Sequence, residues 1–515
     1  MVSEFRNHPL TDFSKDENRQ KMQTALEEVK GQFDRTYALY INGQEIETGD
    51  ILKSYNPCRK GQVIGNFHKA GNGDVETAIA AGGKAFETWR FVEPSKRADY
   101  LFKAAEVMRR RQFELNAWMV YETGKNWVEA DGDTAEAIDF IEFYAREMLR
   151  YAEKQPITPI AGEENEMIYI PLGVGAIIPP WNFPLAILAG MSTAAIVSGN
   201  CILLKPASDS PTIGQKFVEI MQEVGLPAGV LNYIPGSGSV IGDTIVTHPK
   251  IRFITFTGSK EVGLRINELA AKPQKGQIWI KRVVVEMGGK NAIIVDGEAN
   301  LDEAVAGVAS SAFGYQGQKC SACSRAIVDE SLYDEFLEKL VERTKKITMG
   351  EVENSDNFMG AMINKAALEK TLKYIESGKK DGRLVHGGEA GPDSGYFVQP
   401  TIIADLDSKD QLAQEEVFAP LLAVIKARDF DHALEIANDT EFGLTGAVYS
   451  ENPDKLKKAR TIYHAGNLYL NRKCTGAFVG SHPFGGFNMS GTDSKAGGRD
   501  YLLLFLQAKT ISKKV

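Results

Sequence analysis

Between residues 173 and 287 the chain alternates short, continuously apolar runs with helical stretches, and this alternation limits its fold more than any other feature. The runs are GVGAIIP (173–179), NCILLKP (200–206), VLNYIP (230–235), IRFITF (251–256) and RVVVEM (282–287). Helical patterns separate them at about 184–198, 212–224, 239–247 and 260–271. A strand that is apolar at every position is covered on both faces, and connections of this length suit parallel crossovers. The right-handed crossover rule then makes the sheet doubly wound, with ligands expected at the carboxyl ends of its strands. A second alternation follows, with strands NAIIVD (291–296), SRAIVD (324–329), LLAVIKA (421–427), TGAVYS (445–450) and NLYLN (467–471), so a second α/β domain is expected.

The flanking segments read differently. Residues 16–32 form a polar, amphipathic helical arm. YALYINGQEIET (37–48) alternates like a hairpin turning at Asn42-Gly43. From 74 to 152 the pattern predicts three helical segments, broken near Glu93-Pro94-Ser95 and Gly124-Lys125, with Ser95 as a cap. IYIPLG (168–173) is a short strand. Strand-like segments at 152–171 and 500–512 suit pairing across a subunit interface, which implies a homo-oligomer, a dimer or a multiple of dimers. The Gly- and Pro-containing loop 475–498 is long enough to be suspected of function.

Composition excludes several classes. With 59 Lys plus Arg against 68 Asp plus Glu, the net charge of −9 argues against a nucleic-acid partner or an anionic membrane surface. The one basic cluster, Arg109-Arg110-Arg111, reads as a solvated helix face. Five scattered cysteines make no disulfide framework and suit a reducing compartment. The first 16 residues have no apolar core, and the longest apolar stretch, 184–198, is too short to span a bilayer. A cytoplasmic protein is therefore the expectation. The seven histidines show no paired ligand spacing, so no metal is expected.

Three segments carry candidate chemistry. In GYQGQKCSACS (314–324), Cys320 is either a small core residue or a nucleophile whose neighbouring glycines admit a ligand and whose N–H helps hold an oxyanion. In VVVEMGGKN (283–291), Glu286 ends an apolar strand at the ligand edge. It is either paired with Lys290 or capping an N–H, or it is a general base raised by a partly apolar site. In IIPPWNFPLA (177–186), prolines stiffen a strand-to-helix junction around Asn182, which is either an N-cap or an amide aimed at an oxyanion. PGSGSVIG (235–242) does not have the G-x-G-x-x-G spacing of the common dinucleotide loop.

Taken in order, the Pro-Trp-Asn-Phe-Pro element, LLKPAS (203–208), FTGS (256–259), EMGGKN (286–291), GQKCSA (317–322) and EEVFAP (415–420) resemble the aldehyde dehydrogenase superfamily, from about residue 37 to the end. The resemblance implies two doubly wound, Rossmann-like α/β domains with a small β oligomerisation flap. It implies an N-terminal arm at 1–36, an NAD-binding domain at 37–151 and 172–285, a catalytic domain at 286–480, and oligomerisation segments at 152–171 and 495–515. Cys320 is then the nucleophile, Glu286 the base that activates water, and Asn182 the oxyanion donor, each such donor being worth roughly 3–4 kcal/mol. The cofactor would be held by Pro180, Trp181, Lys205, Ser208, Gly258, Ser259, Glu416 and Phe418. Many members of the family carry Glu where this chain has Ser208, so NAD is expected and NADP is tolerated. The loop NRKCTGAFVGSHPFGGFNMSGT (471–492) resembles the 1-pyrroline-5-carboxylate dehydrogenase branch. That likeness implies oxidation of L-glutamate γ-semialdehyde, with Ser321, Gly476 and Ala477 on its carboxylate and Phe183 and Phe487 as walls. The alternatives are another semialdehyde such as succinic semialdehyde and, in a different class, a cofactor-independent thiol hydrolase. A coenzyme A-acylating variant would have no use for Glu286.

Overall fold

In the computed structural model, which describes residues 3–515, the two alternating regions form two seven-stranded sheets. The first runs in the order Arg282–Glu286, Phe253–Thr257, Val174–Ile178, Cys201–Leu204, Leu231–Tyr233, Leu39–Ile41, Gln44–Ile46. Its first five strands are parallel. The Asn42-Gly43 hairpin forms as expected, both turn residues having positive φ (53° and 78°). It extends this same sheet antiparallel, an addition that the local pattern does not predict. Gly175 faces Phe253 in register, and a Cβ there would meet the Phe253 ring at 2.1 Å, which accounts for a glycine inside a central strand.

The second sheet runs Arg383–His386, Thr401–Ala404, Leu421–Ala427, Cys323–Asp329, Asn291–Val295, Thr445–Tyr449, Asn467–Leu470. Two of these strands were not expected: the short parallel Thr401–Ala404 and the antiparallel edge Arg383–His386. The first sheet ends at Glu286 and the second begins at Asn291, so the chain crosses between them through residues 287–290. Both sheets are flanked by helices, and their strands carry separate apolar cores.

The helical region departs from expectation at two points. It holds four helices, Asn72–Trp89, Pro94–Arg110, Gln112–Thr123 and Trp127–Ala152, with an unforeseen break at Arg111. The second starts with Pro94 at its first position and Glu93 at the cap, so Ser95 lies inside the helix and does not cap it. The segments expected to pair across a subunit interface form Glu163–Pro171 and Leu506–Lys514, which pair antiparallel with each other within the chain. Buried Asn200 pins this flap to the first sheet: it accepts from the N–H of Leu172 (2.7 Å) and Gly173 (2.9 Å) and donates to Phe505 O (3.0 Å).

Candidate active site

The Cys320 loop is held on both sides. After the helix Leu301–Phe313 the chain makes a tight turn with Tyr315 (φ 48°) and Gln316 (φ 56°) in the left-handed region. Such residues cost of order 1–3 kcal/mol unless their surroundings hold them. Here Tyr315 Oη donates to Thr123 O (3.1 Å), and Gln316 Nε2 donates to Gly124 O and Ala361 O (both 3.0 Å). On the far side, Asn291 Nδ2 donates to Cys320 O (2.7 Å) and Ala322 O (2.9 Å). Cys320 is partly accessible, whereas the other four cysteines are buried, so the core reading fits those four and not this one. Burial, then the negative charges of Glu416 and Glu286, push its thiol up to about 12.

Asn182 is not an N-cap. The next helix, Ala186–Val197, has Leu185 at that position, and its first N–H is taken by Asp133 Oδ1 at 2.7 Å. The buried Asn182 amide instead donates to Gln318 O (3.1 Å), two residues before Cys320. Nor does Glu286 pair with Lys290. Its carboxylate accepts from Ser494 N (2.9 Å), Ser494 Oγ (2.7 Å) and Gly486 N (3.0 Å). Burial raises it to about 7, against the pull of those donors. An ionised carboxylate has about four acceptor sites, so one remains for a water.

The residues assigned to a dinucleotide lie around the same strand ends. Glu416 accepts from Gly289 N (3.0 Å), and burial raises its carboxyl. Phe418, at φ 64°, meets Trp181 edge to face at 5.7 Å, next to Pro180 and Asn182. Lys205 is buried with its ammonium on Pro206 O (3.1 Å), and burial lowers it to about 8. Ser208 is half-buried nearby. Gly258 follows the strand Phe253–Thr257, its N–H on Glu286 O (3.1 Å), and Ser259 caps the helix Lys260–Ala270. A helix N-terminus behind a parallel strand suits a pyrophosphate, and a buried acid suits ribose hydroxyls. These residues fit a dinucleotide.

Opposite them is a cavity of about 330 Å³ whose wall includes Cys320, Glu286, Ser321, Phe183, Gly476 and Ala477. Phe487 is not on it. It lies in a two-stranded ribbon with Phe442–Gly443, its ring 5.1 Å from His464, and Phe484 takes the wall position instead. Several wall residues lay outside the quoted motifs: Glu129, which holds Lys319 at 2.7 Å, and Asp133 and Glu136; Arg472 and Lys473, inside the 471–492 loop, also stand on the wall without having been singled out. Glu136 is raised to about 8 by burial and then by the charge of Asp133. Positions 129, 133 and 136 recur at helical spacing, but the same helix also carries Asp131, Asp139, Glu142 and Glu147, so spacing alone does not single them out.

A thiol, a poised carboxylate and a dinucleotide cradle at facing sheet edges define an enzyme class, and the chain belongs to the aldehyde dehydrogenase family, whose model matches residues 44–511. At the level of individual proteins, it is 55% identical over the full length of both chains to the 1-pyrroline-5-carboxylate dehydrogenase of Geobacillus thermodenitrificans (strain NG80-2). It is 54% identical, again over both full lengths, to the enzyme of that name from Bacillus subtilis (strain 168). The crystal structure of 1-pyrroline-5-carboxylate dehydrogenase from Thermus with bound NAD superposes with a TM-score of 0.98 at 48% identity, covering both chains completely.

Proposed function

We propose that this protein oxidises L-glutamate γ-semialdehyde, the open form of 1-pyrroline-5-carboxylate, to L-glutamate, with NAD as hydride acceptor, in the breakdown of proline or arginine. The observation that carries the reading is the shared cavity wall of Cys320, Glu286, Ser321 and the Gly476-Ala477 turn. The full-length relatives named above support it.

Cys320 starts protonated, so its proton must pass to solvent in the cavity before attack. The thiolate adds to the aldehyde carbon. The Asn182 amide and the Cys320 N–H hold the resulting oxyanion. Bound NAD accepts the hydride from this thiohemiacetal. The thioester left on Cys320 is hydrolysed by a water whose proton Glu286 removes, and C–S cleavage releases L-glutamate and the thiol. Pro180, Trp181, Lys205, Ser208, Gly258, Ser259, Glu416 and Phe418 hold the dinucleotide.

At the substrate's other end, the Ser321 hydroxyl and the N–H groups of Gly476 and Ala477 take the carboxylate, with Lys319, Arg472 and Lys473 supplying positive field on the same wall. Glu129 and Glu136 face the amino group, and Phe183 and Phe484 wall the aliphatic part. The assignment to a cytoplasmic homo-oligomer rests on the free cysteines and on the exposed flap of Glu163–Pro171 and Leu506–Lys514. Among the described residues, no helix is long and apolar enough to cross a membrane. The test is a panel of aldehydes with NAD and NADP. Glutamate semialdehyde should give the highest kcat/KM, and a higher value for succinic semialdehyde would overturn the substrate assignment. Turnover without nucleotide would overturn the class.

A further inference from the structure

The first residues of the chain reach the active-site cavity. Residues 3–12 have no regular secondary structure, yet they lie along the helix Trp127–Ala152, and His8 and Leu10 stand on the cavity wall. Their attachment is specific. Asn7 Nδ2 donates to Asp139 Oδ2 (2.8 Å) and to Val479 O (3.0 Å), and His8 N donates to Asp139 Oδ1 (2.6 Å). Thr11 gives both its N–H and its hydroxyl to Asp131 (2.7 Å each). Phe5 and Phe13 pack on Phe143 (5.1 Å) and Trp127 (5.5 Å) at either end.

Asp131 and Asp139 are 1% and 5% exposed, and buried carboxylates must be matched by donors. Asp131 has Gln112 and Asn116 besides the strap, whereas both hydrogen-bond partners of Asp139 come from the strap. The helix is therefore built to receive these residues. The Asn7 bond to Val479 O also ties them to the loop that carries Gly476 and Ala477. The family model matches from residue 44, after the strap, whereas the 1-pyrroline-5-carboxylate dehydrogenases named above align over their full lengths.

We propose that residues 5–11 are a specificity element that closes the outer end of the aldehyde cavity and sets the length of substrate it accepts. This rests on the substrate assignment above only for the identity of the favoured aldehyde. With the strap in place, Leu10 and His8 cap the space beyond the Gly476-Ala477 turn, favouring a short chain ending in a charged group. Without it, the cavity opens towards solvent and a longer apolar chain finds room.

The experiment compares the full chain with a variant lacking residues 2–11, using glutamate semialdehyde, propanal and hexanal with NAD. The truncated enzyme should show at least a fivefold higher KM for glutamate semialdehyde with kcat within twofold. Its hexanal-to-propanal ratio of kcat/KM should rise at least threefold. If the truncation does not fold, full-length Leu10→Ala should raise that ratio and Leu10→Trp should lower it. An unchanged ratio in whichever variants fold overturns the proposal. If the full chain fails to oxidise glutamate semialdehyde, the substrate assignment falls, while the hexanal-to-propanal ratio still decides the role of the strap.

Discussion

Ser494→Ala isolates the hydroxyl that holds Glu286. The carboxylate now sits at about 7 because burial raises it while three donors, Ser494 N, Ser494 Oγ and Gly486 N, favour its ionised form. Removing the 2.7 Å hydroxyl bond takes away one donor to the charged form and leaves two. A hydrogen bond to a charged group is worth roughly 1.5–3 kcal/mol, or roughly 1–2 pKa units. The midpoint should therefore rise to roughly 8–9, since losing a donor penalises only the anion. In the proposed mechanism, ionised Glu286 is the form that activates water. At pH 7 its fraction falls from about half to roughly 1–10%, so thioester hydrolysis slows by roughly 5–50-fold. The loss should shrink to less than about 1.5-fold by pH 9.5, where both proteins are mostly ionised. The assay is a single turnover with NAD, with rapid quench and mass detection of the acyl-enzyme, repeated from pH 6 to 10. The burst of NADH should persist throughout, because hydride transfer precedes this step. Glu286→Gln gives the reference, slow at every pH. If the midpoint for Ser494→Ala stays at the wild-type value, or if the rate falls by one factor at all pH values, Glu286 is not the titrating base.

Three further variants test other parts of the site. Cys320→Ala should abolish oxidation of every aldehyde while binding NAD with affinity unchanged within about threefold, measured by calorimetry; lost binding would show that the thiol's loop supports the cofactor site instead. Ser208→Glu should weaken NADP at least tenfold more than NAD in kcat/KM, because a second negative charge there repels the 2′-phosphate, and equal effects would remove this residue from the ribose. Lys125 and Asp133 are fully buried and 3.4 Å apart, so Lys125→Met should cost about 3–5 kcal/mol in urea unfolding by stranding the carboxylate. Adding Asp133→Asn should recover much of that loss, and a single-variant cost below about 1 kcal/mol would mean the pair is already neutral.

The core strands were legible because they are covered on both faces and therefore uniformly apolar, as in Ile202–Leu204 and Ile293–Val295. What escaped was decided by tertiary contacts. Thr401–Ala404 has only four residues, too few to show a period, and finds its place between the seven-residue Leu421–Ala427 and the equally short edge Arg383–His386. Arg383–His386 is an exposed antiparallel edge with polar ends. The break at Arg111 has neither Gly nor Pro. Its guanidinium bonds Glu114 (2.8 and 2.9 Å) within its own segment and Glu219 (3.0 Å) on the helix Pro211–Glu223, and no local pattern reports the second. The same holds in the cavity. Nothing local marks 129, 133 and 136 among the charges of the helix Trp127–Ala152 as the ones the fold turns to the cavity, and the ribbon that turns Phe487 towards His464 pairs it with Gly443, far back in the chain.

The residues that were legible share a different property: their geometry is crowded. The crossing between the two sheets, Met287-Gly288-Gly289-Lys290, touches every part of the chemistry at once. Glu286 precedes it, and Asn291, which fixes Cys320 O at 2.7 Å, follows it. A Cβ on Gly288 would stand 2.0 Å from Glu416 Oε2, and one on Gly289 would stand 2.8 Å from Cys320 O. Any side chain at either position would displace Glu416 or the Cys320 loop. Glu286, Cys320 and Glu416 are thus brought to one place by backbone that only glycine permits, and such backbone leaves a mark in sequence. The cavity's outer wall is built from ordinary side chains on ordinary helices, with a strap laid over them. It lacks that crowding, so its residues become visible only when the chain is folded.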